Sequence, residues 1–243
     1  MGLLNTMETI LAVMEDRPEV HGALEPVILQ AIHHIFTNSI MEFYEEAMSL
    51  SCDLTTKHIS PDMWKMLEVM YTVFQRDGFD YFSDMMPALH NYVTVDTKAF
   101  LSSPDYMMAM YNMSKAMLEG DPGEDPECHA AKLLEVIILQ CKGMNIDQAI
   151  PIFVELVLKR LTREVKTSEL RTMCIQVSHL IHYILKQQNI LRLSLLLFTI
   201  IQCSFSKPWI KFRYQVWLVG SLDILFSNGF TIQIALLDFM IEK

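Results

Sequence analysis

From Asp77 to Asp96 the chain reads DGFDYFSDMMPALHNYVTVD, and its apolar residues return at steps of three and four. Phe79, Phe82, Met86, Leu89 and Val93 share one face of a 3.6-residue helix, while Asp80, Asp84 and His90 point elsewhere. Gly78 stands at the start of this helix and a loop over 97–103 follows it. Pro87 removes one backbone donor from its middle. A helix with one apolar stripe needs neighbours to cover that stripe, and the same need recurs along most of the chain.

Helices are predicted over Leu3–Met14 and, past a break at Arg17-Pro18, over Glu19–Thr37. A third is opened by Asn38 as its cap and carries Ile40, Phe43, Tyr44, Ala47 and Leu50 on one face. Ser60-Pro61-Asp62 is a strong start, with a cap, a proline at the first position and an acid in the first turn. Met63, Met66, Leu67, Met70, Val73 and Phe74 line the helix that follows. Ser103-Pro104-Asp105 repeats this signal 43 residues after Ser60, and that helix ends at Gly120. Further helices are expected over Pro126–Lys142, capped by Asp125, from Asn145 or Asp147 to Val165, and from Ser168 onward. A start signal returning near forty residues is the length of a two-helix HEAT or armadillo repeat. The fold class expected is therefore all-α, a solenoid of antiparallel helix pairs with about four repeats over 1–176, because a single helix pair cannot bury its apolar face alone.

Composition supports helices: 51% of residues are apolar, and 18 are Met against 8 Gly. The net charge of -10 argues against a nucleic-acid partner and suits a basic protein partner. The charge is uneven, with 13 Lys/Arg and 26 Asp/Glu in 1–176 and 6 and 3 in 177–243. The second part is apolar, basic and aromatic. Its charge-free run Leu193–Ser206 has 14 residues, short of the roughly twenty needed to span a membrane, so no membrane partner is expected. Trp209, Phe212, Tyr214 and Trp217 interleave with Lys207, Lys211 and Arg213, and covering core is the simpler role for them. No basic leader opens the chain, so no secretory signal is expected.

Five widely spaced cysteines without a CxxC pair fit free thiols better than a disulfide framework or a zinc site. His33 and His34 are adjacent and point about 100° apart on a helix, one expected at the core edge and one exposed, so they do not form a metal pair. Cys128 and His129 diverge for the same reason. No G-x-S-x-G, H-E-x-x-H or phosphate-binding glycine loop occurs, so no catalytic residues, metal or cofactor are expected and the chain is read as non-enzymatic.

Three segments carry a resemblance: Gly78–Thr97 (GFDYFSDMMPALHNYVTVDT), Glu127–Gly143 (ECHAAKLLEVIILQCKG) and Arg160–Cys174 (RLTREVKTSELRTMC). Together with Leu3–Asp16 and Met41–Ala47 they resemble the importin-beta superfamily of nuclear transport receptors, within it the subgroup of importins seven and eight, nearer to importin eight. The resemblance covers residues 2 to about 177, looks like the C-terminal portion of such a receptor, and stops within a helix. It implies stacked HEAT repeats, binding in place of catalysis, shuttling between cytoplasm and nucleus, and carriage of basic cargo proteins under control of the GTPase Ran. It also implies contact with Phe-Gly nucleoporins through apolar slots between helices. Ran-contact positions match nothing here and are not carried over.

The candidate site is the acidic stretch at Glu119, Asp121, Glu124, Asp125 and Glu127, five carboxylates in nine residues. It lacks the ligand spacing of a calcium loop. Two readings stand beside each other: a surface that steers Lys/Arg-rich cargo, and a solvated loop between repeats. A scaffold without transport activity is the alternative for the whole chain.

Overall fold

A computed structural model describes residues 2–187, apart from Glu15, Gly78, Phe79, Asn145, Asp147 and Gln148. Every regular element among them is helical: α1 (Gly2–Val13), α2 (Pro18–Thr37), α3 (Tyr44–Thr55), α4 (Pro61–Asp77), α5 (Phe82–Thr94), α6 (Thr97–Ser102), α7 (Pro104–Glu119), α8 (Glu124–Gln140), α9 (Ile150–Thr162) and α10 (Ser168–Gln187), with a 3-10 turn at Met41–Phe43. The helices fall into two units, Met1–Cys141 and Lys142–Lys243.

In the first unit the helices stack in two layers. α2, α4 and α7 follow one another in layer A, and α1, α3, α5 and α8 in layer B. Each A helix is succeeded in sequence by a B helix, giving the pairs α2–α3, α4–α5 and α7–α8. This is the HEAT-type arrangement expected. The three A helices begin at Pro18, Pro61 and Pro104, 43 residues apart each time, and each proline is followed by an acid, Glu19, Asp62 or Asp105. Proline costs nothing at a first helical position, since that N–H has no partner inside the helix, and the acid faces the positive end of the helix dipole. Ser60 Oγ accepts from Met63 N at 3.1 Å and Ser103 Oγ from Asp105 N at 3.3 Å, so both predicted caps form. Arg17 stands at the same position without a side-chain cap, which hides the first start from a search for Ser-Pro-Asp.

The predicted stripe of α4 is buried throughout, and so are Phe82, Met86, Leu89 and Val93 on α5. α5 also buries Met85, Ala88 and Tyr92. The reason is position: α5 lies between α3 and α8 in layer B and is covered on two sides. Tyr92 is fully buried, and its hydroxyl donates to the Met63 carbonyl at 2.6 Å.

Three boundaries differ from the sequence pattern. The loop expected over 97–103 contains α6, capped by Asp96, whose Oδ1 accepts from Ala99 N at 3.0 Å. Phe100 is its one buried residue, and that single anchor is too little to show as periodicity. Asn38 does not open α3: its Nδ2 donates to the His34 carbonyl at 2.8 Å and closes α2. α8 begins two residues before Pro126, with Gly123 as its N-cap, so Asp125 lies inside the first turn.

Polar bonds tie neighbouring repeats at separations near the repeat length. In layer B, Ser49 Oγ donates to Glu8, Asn91 Nδ2 donates to the Cys52 carbonyl at 3.1 Å and Thr55 Oγ1 at 3.2 Å, and His129 Nδ1 lies 2.9 Å from Ser83 Oγ. In layer A, Asn112 Nδ2 donates to Tyr71 Oη at 3.2 Å. Each satisfies a group that stacking takes out of water.

In the second unit α9 packs against α10. Thr167 Oγ1 accepts from Leu170 N at 3.4 Å at the start of α10, and Leu170, Cys174, Ile175, Val177 and Ile181 are buried. α10 runs unbroken across 176/177, the point where the family resemblance ends. The apolar run Leu193–Ser206, the aromatic and basic stretch after it, and Cys203 lie outside the described residues. Among the described residues no helix is long and apolar enough to cross a membrane.

Candidate functional site

The acidic stretch forms the turn between α7 and α8. Glu119 is the last residue of α7 and is exposed, as is Asp121 in the turn. Gly123 makes the turn possible, because its φ of 101° and ψ of 158° belong to a region that only glycine occupies without strain. Glu124, Asp125 and Glu127 then occupy the first turn of α8. There they lie at the positive end of the helix dipole, which by itself favours acids at these positions. Glu124 is half-buried and Asp125 exposed, but Glu127 is only 2% exposed. Glu127 therefore faces the interior and leaves the candidate surface to Glu119, Asp121, Glu124 and Asp125. The stretch thus serves the start of a helix as well as offering charge to solvent. The spacing of acids in the sequence shows the cluster but not which of its members turns inward.

The other ionisable groups singled out in the sequence fall apart or pair structurally. His33 and His34 are both exposed; neither sits at the core edge. His34 Nδ1 lies 3.1 Å from Asn38 Nδ2, and His33 Nδ1 lies 3.4 Å from Thr37 Oγ1. His129 meets Ser83 on α5, so it is an inter-repeat contact. Burial pushes the Cys141 thiol up to about 11, and burial followed by the charge of Asp53 raises Cys52. Both stay protonated near neutrality, as inert thiols do. Burial, then the charge of Glu45 on α3, raises the Asp84 carboxyl, with His129 acting in the opposite sense. Burial, then Glu8, raises Asp53 in the same way against His21. No cluster of three or more His, Cys, Asp or Glu able to hold a metal occurs among the described residues.

A second feature escapes the sequence. Between α2 and α4, neighbours in layer A, lies a groove of about 660 Å³. Pro26, Leu29, Met66 and Val69 supply its apolar lining, and Gln30, His33, Asp62 and Lys65 stand among its polar residues. Lys65 Nζ is held by Asp62 Oδ1 at 2.8 Å. Periodicity marks Met66 as a core position of α4, but only the packing of α4 beside α2 makes a cleft next to it. A proline inside one helix opposite a valine and a methionine on the next would be the trace to look for.

The chain is 58% identical over 178 residues to Importin-8 of Mus musculus, covering 73% of this chain and 18% of that protein. It is 61% identical over 180 residues to Importin-8 of Danio rerio, with the same two shares. It is 30% identical over 167 residues to the Probable importin-7 homolog of Dictyostelium discoideum, covering 66% of this chain and 15% of the relative. No protein-family profile matches the chain, and no solved structure does. The chain thus spans less than a fifth of the length of the relatives it matches. With a two-layer stack of HEAT-type pairs and this level of identity, the chain belongs to the importin-beta family, with the Importin-8 proteins among its relatives.

Proposed function

We propose that this chain acts as a segment of a nuclear import receptor that shuttles between cytoplasm and nucleus, with residues 1–176 as its transport-type repeats. What carries this reading is the 57% to 61% identity to three Importin-8 proteins over some 180 residues that fold as stacked helix pairs. Its work is reversible binding. The acids at the α7–α8 turn, exposed Glu119, Asp121 and Asp125 with half-buried Glu124, attract Lys/Arg-rich cargo proteins and speed their encounter. Ran acts through parts of a complete receptor outside this segment. The test is binding of the full chain to a cargo carrying a Lys/Arg-rich import signal, measured at rising salt. Binding that falls with salt, and falls several-fold further in Asp121→Lys/Asp125→Lys, supports the cargo surface. Equal binding by the variant, or none at low salt, overturns it and leaves a scaffold.

A second contact has its own support. The groove between α2 and α4 is lined by both apolar and polar residues, and it has room for one large side chain. It fits the phenyl ring of a Phe-Gly nucleoporin repeat. Val69→Asp is expected to abolish retention on immobilised Phe-Gly repeats and to leave cargo binding intact. Unchanged retention would rule the groove out.

A further inference from the structure

Between α9 and α10 lies a turn whose charge runs against the rest of the chain. Residues 1–141 hold 7 Lys/Arg and 22 Asp/Glu, whereas 142–187 hold 7 and 4. Lys159, Arg160, Arg163, Lys166 and Arg171 fall within thirteen residues, with Glu164 and Glu169 the acids among them. Two arginines fix the turn from either side. Arg160 on α9 is buried and donates from Nη1 to the Glu164 carbonyl at 3.2 Å. Arg171 on α10 donates from Nη2 to the next carbonyl, that of Val165, at 2.9 Å. Lys159, Lys166 and Arg171 are exposed and Arg163 is half-buried. Helix dipoles account for part of this set. Lys159 and Arg160 lie in the last turn of α9, where a cation is favoured. Lys166 and Arg171 flank the start of α10, the positive end of a 20-residue helix, where a cation is disfavoured. Glu169 meets that field with a single negative charge. The two cations thus add to the field of the helix end in place of offsetting it, and an anion is the ligand such a field selects.

We propose that the α9–α10 turn is a docking surface for an acidic peptide segment of another protein, whose Asp or Glu carboxylates meet Lys159, Arg163, Lys166 and Arg171. Carboxylates suit the geometry. A guanidinium offers its N–H groups as a planar fork, and Arg171 places one of them on a carbonyl of the turn. Its plane is therefore oriented before a carboxylate arrives, which lowers the cost of ordering it on binding. A nucleic acid fits less well. Proteins that hold nucleic acid through its backbone commonly make roughly 6–10 phosphate contacts, and this turn presents three exposed cations and a half-buried one. The net charge of -10 also repels a long polyanion more than it repels a short acidic segment. The surface is opposite in sign to the acidic α7–α8 turn, so its partner differs from a Lys/Arg-rich cargo and the proposal stands apart from the cargo reading.

The test titrates the full chain into a fluorescein-labelled peptide of alternating Glu and Ser and follows fluorescence anisotropy. The same peptide with Gln for Glu and a single-stranded oligonucleotide of equal length run beside it. The Glu peptide is expected to bind at low salt and to weaken as salt rises, and the Gln peptide not to bind. Lys166→Glu/Arg171→Glu should weaken binding by about tenfold or more. Arg171 also holds the turn, so Lys159→Gln/Lys166→Gln, at two exposed positions, gives a second reading. It should keep the thermal midpoint within a degree or two of the parent and bind several-fold more weakly. Lys98→Glu/Lys115→Glu, at exposed positions on α6 and α7, changes the net charge by the same amount as the first variant and should bind like the parent. The proposal is overturned if the Glu peptide does not bind, if the Gln peptide binds equally, or if the two charge reversals weaken binding alike. It is also overturned if the Lys159→Gln/Lys166→Gln variant binds like the parent, or if the oligonucleotide binds more tightly than the peptide and loses that binding in this variant. Self-association in sedimentation that Lys159→Gln/Lys166→Gln abolishes would overturn it too, by making a second copy the occupant.

Discussion

The guanidinium of Arg76 donates to the carbonyl of Phe36, 3.0 Å away and 40 residues earlier in the chain. Phe36 lies in the last turn of α2, whose carbonyls have no partner inside the helix, so an arginine at the end of one A helix closes its predecessor in the layer. The same side chain also binds Asp77 at 2.8 Å and the Tyr44 hydroxyl, and Tyr44 in turn donates to Asp77 at 2.9 Å. One charged residue thus joins α2, α3 and α4. It sits at a joint between repeats, where apolar packing alone leaves helix ends unsatisfied.

Arg76→Ala removes the donor and leaves the Phe36 carbonyl and the nearly buried Asp77 carboxylate short of partners. The expected loss is about 1–3 kcal/mol, or a fall in Tm of roughly 3–10 °C. Calorimetry on the full chain checks it; a Tm unchanged within a degree would show that the joint contributes nothing.

Hydrogen bonding from Arg76 holds the Asp77 carboxyl below its ordinary value, and burial opposes this. The stabilisation is fully present above the unfolded value of 3.8 and is lost as pH falls through the lower folded value. The Tm difference between the parent chain and Asp77→Asn should therefore be constant near neutrality and shrink only below that value. A difference that shrinks between pH 7 and pH 5 would contradict this.

Asp53 carries the opposite sign. Burial and Glu8 raise it above the ordinary 3.8, so the folded state keeps this proton to a higher pH than the unfolded state. Its cost is absent well below 3.8, grows as pH rises past it, and is complete once pH exceeds the raised folded value. Asp53→Asn should raise Tm at pH 7 and leave it unchanged at pH 3. An equal gain at both values would point to a cause other than charge.

Gly123 and Gly120 flank the acidic turn but differ in backbone. Gly123 has a φ of 101°, whereas Gly120 has -73°, open to any residue. Open space surrounds a side chain at Gly123, so Gly123→Ala tests the backbone alone, with an expected cost of about 1–3 kcal/mol. Gly120→Ala should cost well under that. Comparable urea midpoints for the two variants would remove Gly123 as the pivot of the turn.

Phe100 is fully buried on a helix of six residues. Phe100→Ala should cost about 3–5 kcal/mol, and Asp96→Ala about 1 kcal/mol through the lost cap. If Phe100→Ala unfolds at the parent's urea concentration, α6 is not anchored to its neighbours α5 and α7.

What local spacing encodes, and what it leaves open, can be seen in single residues. The stripe from Met63 to Phe74, the Ser60 and Ser103 caps and the run of helices other than α6 follow from the chain alone, because a 3.6-residue period and the chemistry of helix ends are local properties. So does membership of a helical-repeat family, since the start signal recurs at the repeat length. Other features depend on which helices meet. Asn38 can open one helix or close another; only the packing of α2 makes it a closing residue. Glu127 reads as one acid among five until the placement of α8 turns it inward. The groove beside Met66 and the double cover of α5 belong to the same class. The sequence by itself determined which faces of these helices are apolar, because side-chain direction repeats with the backbone. Tertiary structure alone decided which of those faces find a partner, because that depends on residues some forty positions away.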